Sequence, residues 1–129
     1  MTYLTKEEIF FERDNEGNVL PIEVALETIP DKPLVKVTPL TKGELSKLVS
    51  ATKSNETDID TDIDIIVKHC IEPSFNDEDK NALKKAGKAV HVNAIILAIL
   101  SISSGISQQK IVDEGRKALS KKVSDFPNQ

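Results

Sequence analysis

The chain has no tryptophan, one tyrosine and four phenylalanines among its 129 residues, so aromatic packing cannot dominate its interior. A core must therefore be assembled from Ile, Leu, Val and Ala, which packed helices supply readily. The single cysteine, Cys70, excludes an internal disulfide and leaves nothing to argue for an oxidising compartment. Long apolar runs are also missing. The longest, Ala94–Leu100, falls far short of the roughly 20 residues that a bilayer span requires. The opening MTYLTKEEIFFERD is acidic and too poor in apolar residues for a secretory signal, so the expected location is the cytoplasm, with no membrane contact. The glycines Gly17, Gly43, Gly87, Gly105 and Gly115 are scattered, which excludes a glycine-rich phosphate loop.

What is present is a strong separation of charge beneath a net charge of −4. Residues 1–79 carry 8 Lys/Arg against 18 Asp/Glu, whereas residues 80–129 carry 9 against 3. Two readings follow. The halves neutralise each other within one molecule, or the acidic half of one subunit meets the basic half of the next in a homo-oligomer.

The local patterns predict an α+β domain, mainly α, with an N-terminal β-hairpin packed on a bundle of four to five helices. Thr5-Lys6-Glu7-Glu8 has capping-box spacing, with Leu4 and Ile9 flanking it as a hydrophobic staple, and it predicts a short helix or an extended arm. Asp14–Asn18 is a turn cluster. Ile22–Glu27 alternates with period two, Pro30–Pro33 makes a second turn, and Leu34–Thr38 is β-branched. Together they read as a hairpin, which is marginal in water unless it leans on other elements.

From Pro39 the pattern becomes helical. Thr41-Lys42-Gly43-Glu44 is a second capping box, and Leu45, Leu48 and Val49 form an apolar stripe behind it. After a polar linker at Ser54–Asp58, a helix is expected over Thr61–Ile71 with Ile63, Ile66, Val67 and Cys70 inward, ended by Pro73. Asn76–Asp79 opens another helix and Gly87 closes it. Val90–Ser104 is apolar on nearly every side and is placed at the centre of the core, with Gly105 after it. His91 and Asn93 interrupt this stretch as polar groups needing partners. Ser107 caps a last helix bearing Ile111, Val112, Ala118 and Leu119. The domain is read as one unit over 1–129: arm and hairpin over 1–40, helical bundle over 41–119, and a frayed tail over 120–129.

Each chemical constellation fails on spacing. Asp58-Ile59-Asp60-Thr61-Asp62-Ile63-Asp64 suggests a calcium loop, but the positions requiring Gly and Glu hold Ile63 and His69. The run reads instead as an acidic helix start. His69, Cys70 and His91 lack zinc-ligand spacing, and nothing near Cys70 is arranged to activate a thiol. No catalytic, metal or cofactor site is expected. Lys80, Lys84, Lys85 and Lys88 form a basic cluster without aromatic or arginine neighbours, which weighs against nucleic acid. A helix-turn-helix over Ile102–Lys117 is the basis of the alternative function, a small DNA-binding regulator using the basic C-terminal helices.

The order of the motifs carries a resemblance. Val35–Leu45 resembles the strand-to-helix junction of the tail assembly chaperones of tailed bacteriophages, in which a short β segment and a proline lead into a helix opening with Glu-Leu. The stretches Ile65–Phe75 and Val92–Ile106 look similar to the continuation of that pattern, so the resemblance covers about residues 33–107. It implies a protein that works in the host cytoplasm during tail morphogenesis and is absent from the mature virion. Its partners would be the tape-measure protein, which it keeps soluble, and tail-tube subunits, which it recruits. A tape measure is a long helical chain with exposed apolar stripes, and covering these requires apolar helix faces. The partner-binding residues expected here are Leu45, Leu48, Val49, Val92, Asn93, Ile96, Ile99, Ile106 and Ile111.

Overall fold

A computed structural model describes residues 2–53 and 59–114, and the side chains within these spans other than those of 49–53 and 59. The expected linker at 54–58, Ala118 and Leu119, and the expected tail from Ser120 lie outside the described residues. The fold is α+β and mainly α, in the order α1 (Lys6–Ile9), β1 (Ile22–Ala25), β2 (Leu34–Val37), α2 (Lys42–Lys53), α3 (Ile59–His69), β3 (Cys70–Glu72), α4 (Asp79–Ala86) and α5 (Ala89–Ser104). A further helix, α6, is described over residues 108–114.

Both capping boxes form. Thr5 Oγ1 accepts the Glu8 amide while the Glu8 carboxylate accepts the Thr5 amide, and Thr41 and Glu44 repeat the arrangement. Each pair satisfies backbone donors that a helix start leaves orphaned. The Asp14 turn closes with Asp14 Oδ1 accepting the Glu16 and Asn18 amides and Gly17 at φ 85°.

The hairpin is part of a larger sheet. β1 pairs with β2 antiparallel, with Val24 opposite Val35, and β2 pairs with β3 antiparallel, giving the order β1-β2-β3. β3 corrects the expected helix over Thr61–Ile71, which ends at His69. The chain there exchanges helical bonding for the sheet: the His69 carbonyl accepts the Thr38 amide at 2.8 Å, and Cys70 faces Val37. Pro73 then ends the strand as it would have ended a helix, since it has no amide to donate.

The core lies between the inner sheet face, α3 and α5. Val35 and Val37 alternate inward on β2, Ile65 and Ile66 come from α3, and Ala94, Ile95, Ala98 and Ile99 come from one face of α5. The two alanines let α5 approach closely, and Val37, Ile66, Ala98 and Ile99 are fully buried. Burying one such large side chain contributes roughly 1.5–3 kcal/mol. Leu26, Leu40 and Leu48 complete this core from the flanking segments.

Helix α5 is not enclosed on all sides as its composition suggested. Val90, His91 and Asn93 are exposed, so the two polar residues meet water rather than buried partners. Gly105 takes the left-handed conformation, φ 74°, and ends α5 as expected. Gly87 closes α4 for a different reason. Its φ of −72° suits any residue, but a Cβ there would stand 2.6 Å from the Leu83 carbonyl oxygen.

Ion pairs join α4 to α3. Lys80 meets Asp64 at 3.0 Å and Asp77 at 3.3 Å, and Lys84 meets Asp60. The acidic run and the basic cluster thus answer each other within one molecule along this contact. Among the described residues no single helix is long and apolar enough to cross a membrane, and α4 and α5 together are bent by 119°.

Candidate functional site

The sequence-derived partner residues do not form one surface. Leu48 and Ile99 belong to the core, and Leu45 and Ile96 pack against it half-buried. These four are engaged by the chain itself, because the stripes that mark an amphipathic helix are first claimed by its own interior. Val92 and Asn93 line a cleft where α4 meets α5. Ile106 and Ile111 are half-buried beyond the end of α5, and the side chain of Val49 lies outside the described residues.

A larger groove lies elsewhere. About 590 Å³ in volume, it runs between the root of the N-terminal arm, the end of β2 and the junction of α3 with β3. Its apolar wall is made by Phe11, Val19, Pro21, Pro39 and Ile71. Leu20 and Ile22, next to these in sequence, are exposed at 41% and 43%, so the apolar character continues onto the surface. Arg13, Asp14, Glu44 and Lys68 bring two charges of each sign to the same groove. Three distant stretches of chain contribute, and no periodicity or motif links them, which is why sequence reasoning missed the site.

The floor of the groove is a chain of polar side chains. His69, almost fully buried, places Nδ1 2.9 Å from Thr38 Oγ1 and Nε2 2.8 Å from Glu44 Oε2. Burial pushes the Glu44 carboxyl up, but hydrogen bonds from His69, the Thr41 amide and Lys68 more than reverse this and hold it at about 2. An ionised carboxylate only accepts, so Nε2 carries a proton, and the Thr38 hydroxyl lies within hydrogen-bonding distance of both Nδ1 and, at 3.4 Å, the His69 carbonyl oxygen.

This hydroxyl–imidazole–carboxylate order has the connectivity of a nucleophilic triad, yet the donors that acyl transfer requires are committed elsewhere. The Thr38 amide donates to the His69 carbonyl, the Leu40 amide to Ser103 Oγ and the Thr41 amide to Glu44, and Pro39 has none. None of the amides of residues 38–41 is therefore free to serve as an oxyanion donor, and Thr38 is itself buried. The network reads as a clasp joining β2, α2 and α3.

Cys70 is buried, and burial pushes its thiol up to about 11, which disfavours the reactive thiolate. Among the described residues no three His, Cys, Asp or Glu side chains group to hold a metal ion. The groove combines an apolar wall with charges of both signs at its edge. No protein-family model, curated protein or solved structure matches this chain.

Proposed function

We propose that this chain is a tail assembly chaperone of a tailed bacteriophage. It binds the tape-measure protein, recruits tail-tube subunits and leaves before the virion is mature. The observation that carries the reading is the groove of about 590 Å³ walled by Phe11, Val19, Pro21, Pro39 and Ile71, which suits the apolar stripe of a helical partner. The resemblance adds the context. Its three segments correspond to β2 leading into α2, α3 leading into β3, and α5 with its Gly105 terminus, and all three contribute to one core. No catalytic role is proposed.

The DNA-binding alternative draws less support from the same surfaces. Lys80 and Lys84, half of the basic cluster, are paired with acidic side chains and so are less available to phosphates.

Co-expression with the tape-measure and tube proteins of the same genome tests the proposal. The expected result is a soluble tape measure that co-elutes with this chain, and loss of that complex in the double variant Val19→Asp/Ile71→Asp. A tape measure that stays insoluble and forms no complex with the unaltered chain overturns it.

A further inference from the structure

We propose that Gln108 guards the edge of the sheet: its side-chain amide holds the place beside β1 that a strand of a second copy would otherwise take. The Leu26 amide donates to the Pro33 carbonyl at 2.9 Å, and groups that face a neighbour alternate along a strand. Ile22, Val24 and Leu26 therefore bond towards β2, while Glu23, Ala25 and Glu27 turn their backbone groups away from it. An edge of this kind is a template for pairing with another chain. Leu20 and Ile22 beside it are exposed at 41% and 43%, which adds apolar surface to the same liability. The opposite edge strand, β3, is only three residues long and is followed by Pro73.

Gln108 answers the β1 edge from far along the chain. Its Nε2 donates to the Ala25 carbonyl at 2.8 Å and its Oε1 accepts the Glu27 amide at 3.3 Å, across separations of 83 and 81 residues. One residue of a parallel neighbouring strand would make the same two bonds, donating to one residue and accepting from the next but one. The carboxamide thus replaces one rung of a ladder without offering a further edge.

The guard is anchored on α5 rather than on the sheet. Gly105 turns the chain out of α5 in the left-handed conformation, and Ser101 Oγ donates to the Ile106 carbonyl at 2.7 Å. Ser107 Oγ then caps α6 by accepting the Lys110 amide at 3.2 Å. Gln108 follows as the first residue of α6 and is 4% exposed, so its side chain has little freedom to leave the edge. Two nearer residues act in the same direction. Pro21 precedes β1 without an amide to donate, and the exposed Glu23 places a charge on the edge strand.

Full-length variants compared by light scattering over a concentration series, with amide exchange at residues 23 and 25, test this. Glu23→Val alone, with the guard intact, should keep the mass of the unaltered chain. Adding Gln108→Ala should raise the mass at least twofold with concentration and slow exchange of the Val24 and Ala25 neighbourhood by at least ~10-fold. Gln108→Ala/Glu23→Pro should return to the mass of the unaltered chain, because proline removes an outward donor from the edge. Association through an unfolded chain would run the other way, since proline would increase it. If the alanine variant does not fold, Gln108→Ser, which admits water to the vacated groups, takes its place. Association of Glu23→Val alone overturns the proposal, as does a folded double variant that keeps the original mass. Association that persists with proline at position 23, or that leaves exchange at the β1 edge unchanged, also overturns it.

Discussion

Glu44 Oε2 accepts the His69 Nε2–H at 2.8 Å, while Oε1 of the same carboxylate accepts the Thr41 amide at 3.1 Å. One side chain thereby caps α2 and holds the start of that helix against the end of α3. Lys68 adds a third contact to the same group at 3.1 Å. Replacing any of these donors with water costs little on an open surface, but Glu44 is only 25% exposed and His69 7%. There the loss of a charge-assisted bond leaves a desolvated partner behind.

The depressed Glu44 carboxyl predicts a specific acid sensitivity. A group held at about 2 when folded, against an ordinary 4.5, stabilises the fold above the higher value and loses that contribution as pH falls towards the lower one. The shift corresponds to at most ~3 kcal/mol. Urea unfolding of the unaltered chain and of Glu44→Gln, compared from pH 7 down to pH 2, checks this. The variant should be less stable by about 1–3 kcal/mol at pH 7, and the difference should shrink steadily below pH 4.5. A difference independent of pH would reject the assignment.

How much of this was legible beforehand differs between the partners of Glu44. The Thr41–Glu44 bond follows from a three-residue spacing, because a helix start has free amides wherever it occurs. The His69 bond joins residues 25 apart in sequence and depends on how α2 and α3 pack. Nothing in either segment announces it.

Two glycines at helix ends should respond to alanine by different routes. At Gly105, with φ 74° and open space around the missing Cβ, alanine should cost about 1 kcal/mol through backbone strain alone. At Gly87 the backbone is relaxed but the new methyl meets the Leu83 carbonyl, so the cost should be about 1–3 kcal/mol with displacement of α4 from α5. Thermal unfolding gives the magnitudes. Amide exchange over residues 83–92 separates the causes, since only Gly87→Ala should accelerate it.

Cys70 should be inert until the chain opens. Buried at the start of β3, with its thiol raised to about 11, it offers little thiolate at neutral pH. Labelling with a thiol-specific disulfide reagent at pH 8 should be at least ~100-fold slower in buffer than in denaturant. Comparable rates in the two conditions would show that β3 opens readily.

Gln108 should matter more than a surface glutamine. Its amide donates to the Ala25 carbonyl at 2.8 Å and accepts the Glu27 amide at 3.3 Å, and the residue is 4% exposed. It completes the bonding of the end of β1, an edge strand, and ties α6 to the sheet. Gln108→Leu should destabilise the fold by about 1–3 kcal/mol, because two backbone groups lose their partners in a partly buried site. Equilibrium urea unfolding measures this, and an unchanged midpoint would exclude the role.

The sequence by itself determined the features that depend on near neighbours. Both capping boxes, the Asp14 turn, the pairing of β1 with β2, and the Gly105 terminus each follow from residues a few positions apart. The tertiary structure alone decided which apolar stripes become interior and which remain outside. It placed Leu48 and Ile99 in the core, left Leu4 and Phe10 in water, and turned Cys70 and Ile71 from expected helix into part of a third strand. The reason is physical. A stripe of Ile and Leu records that a face must be covered, whereas the identity of the cover depends on contacts between segments far apart in the chain.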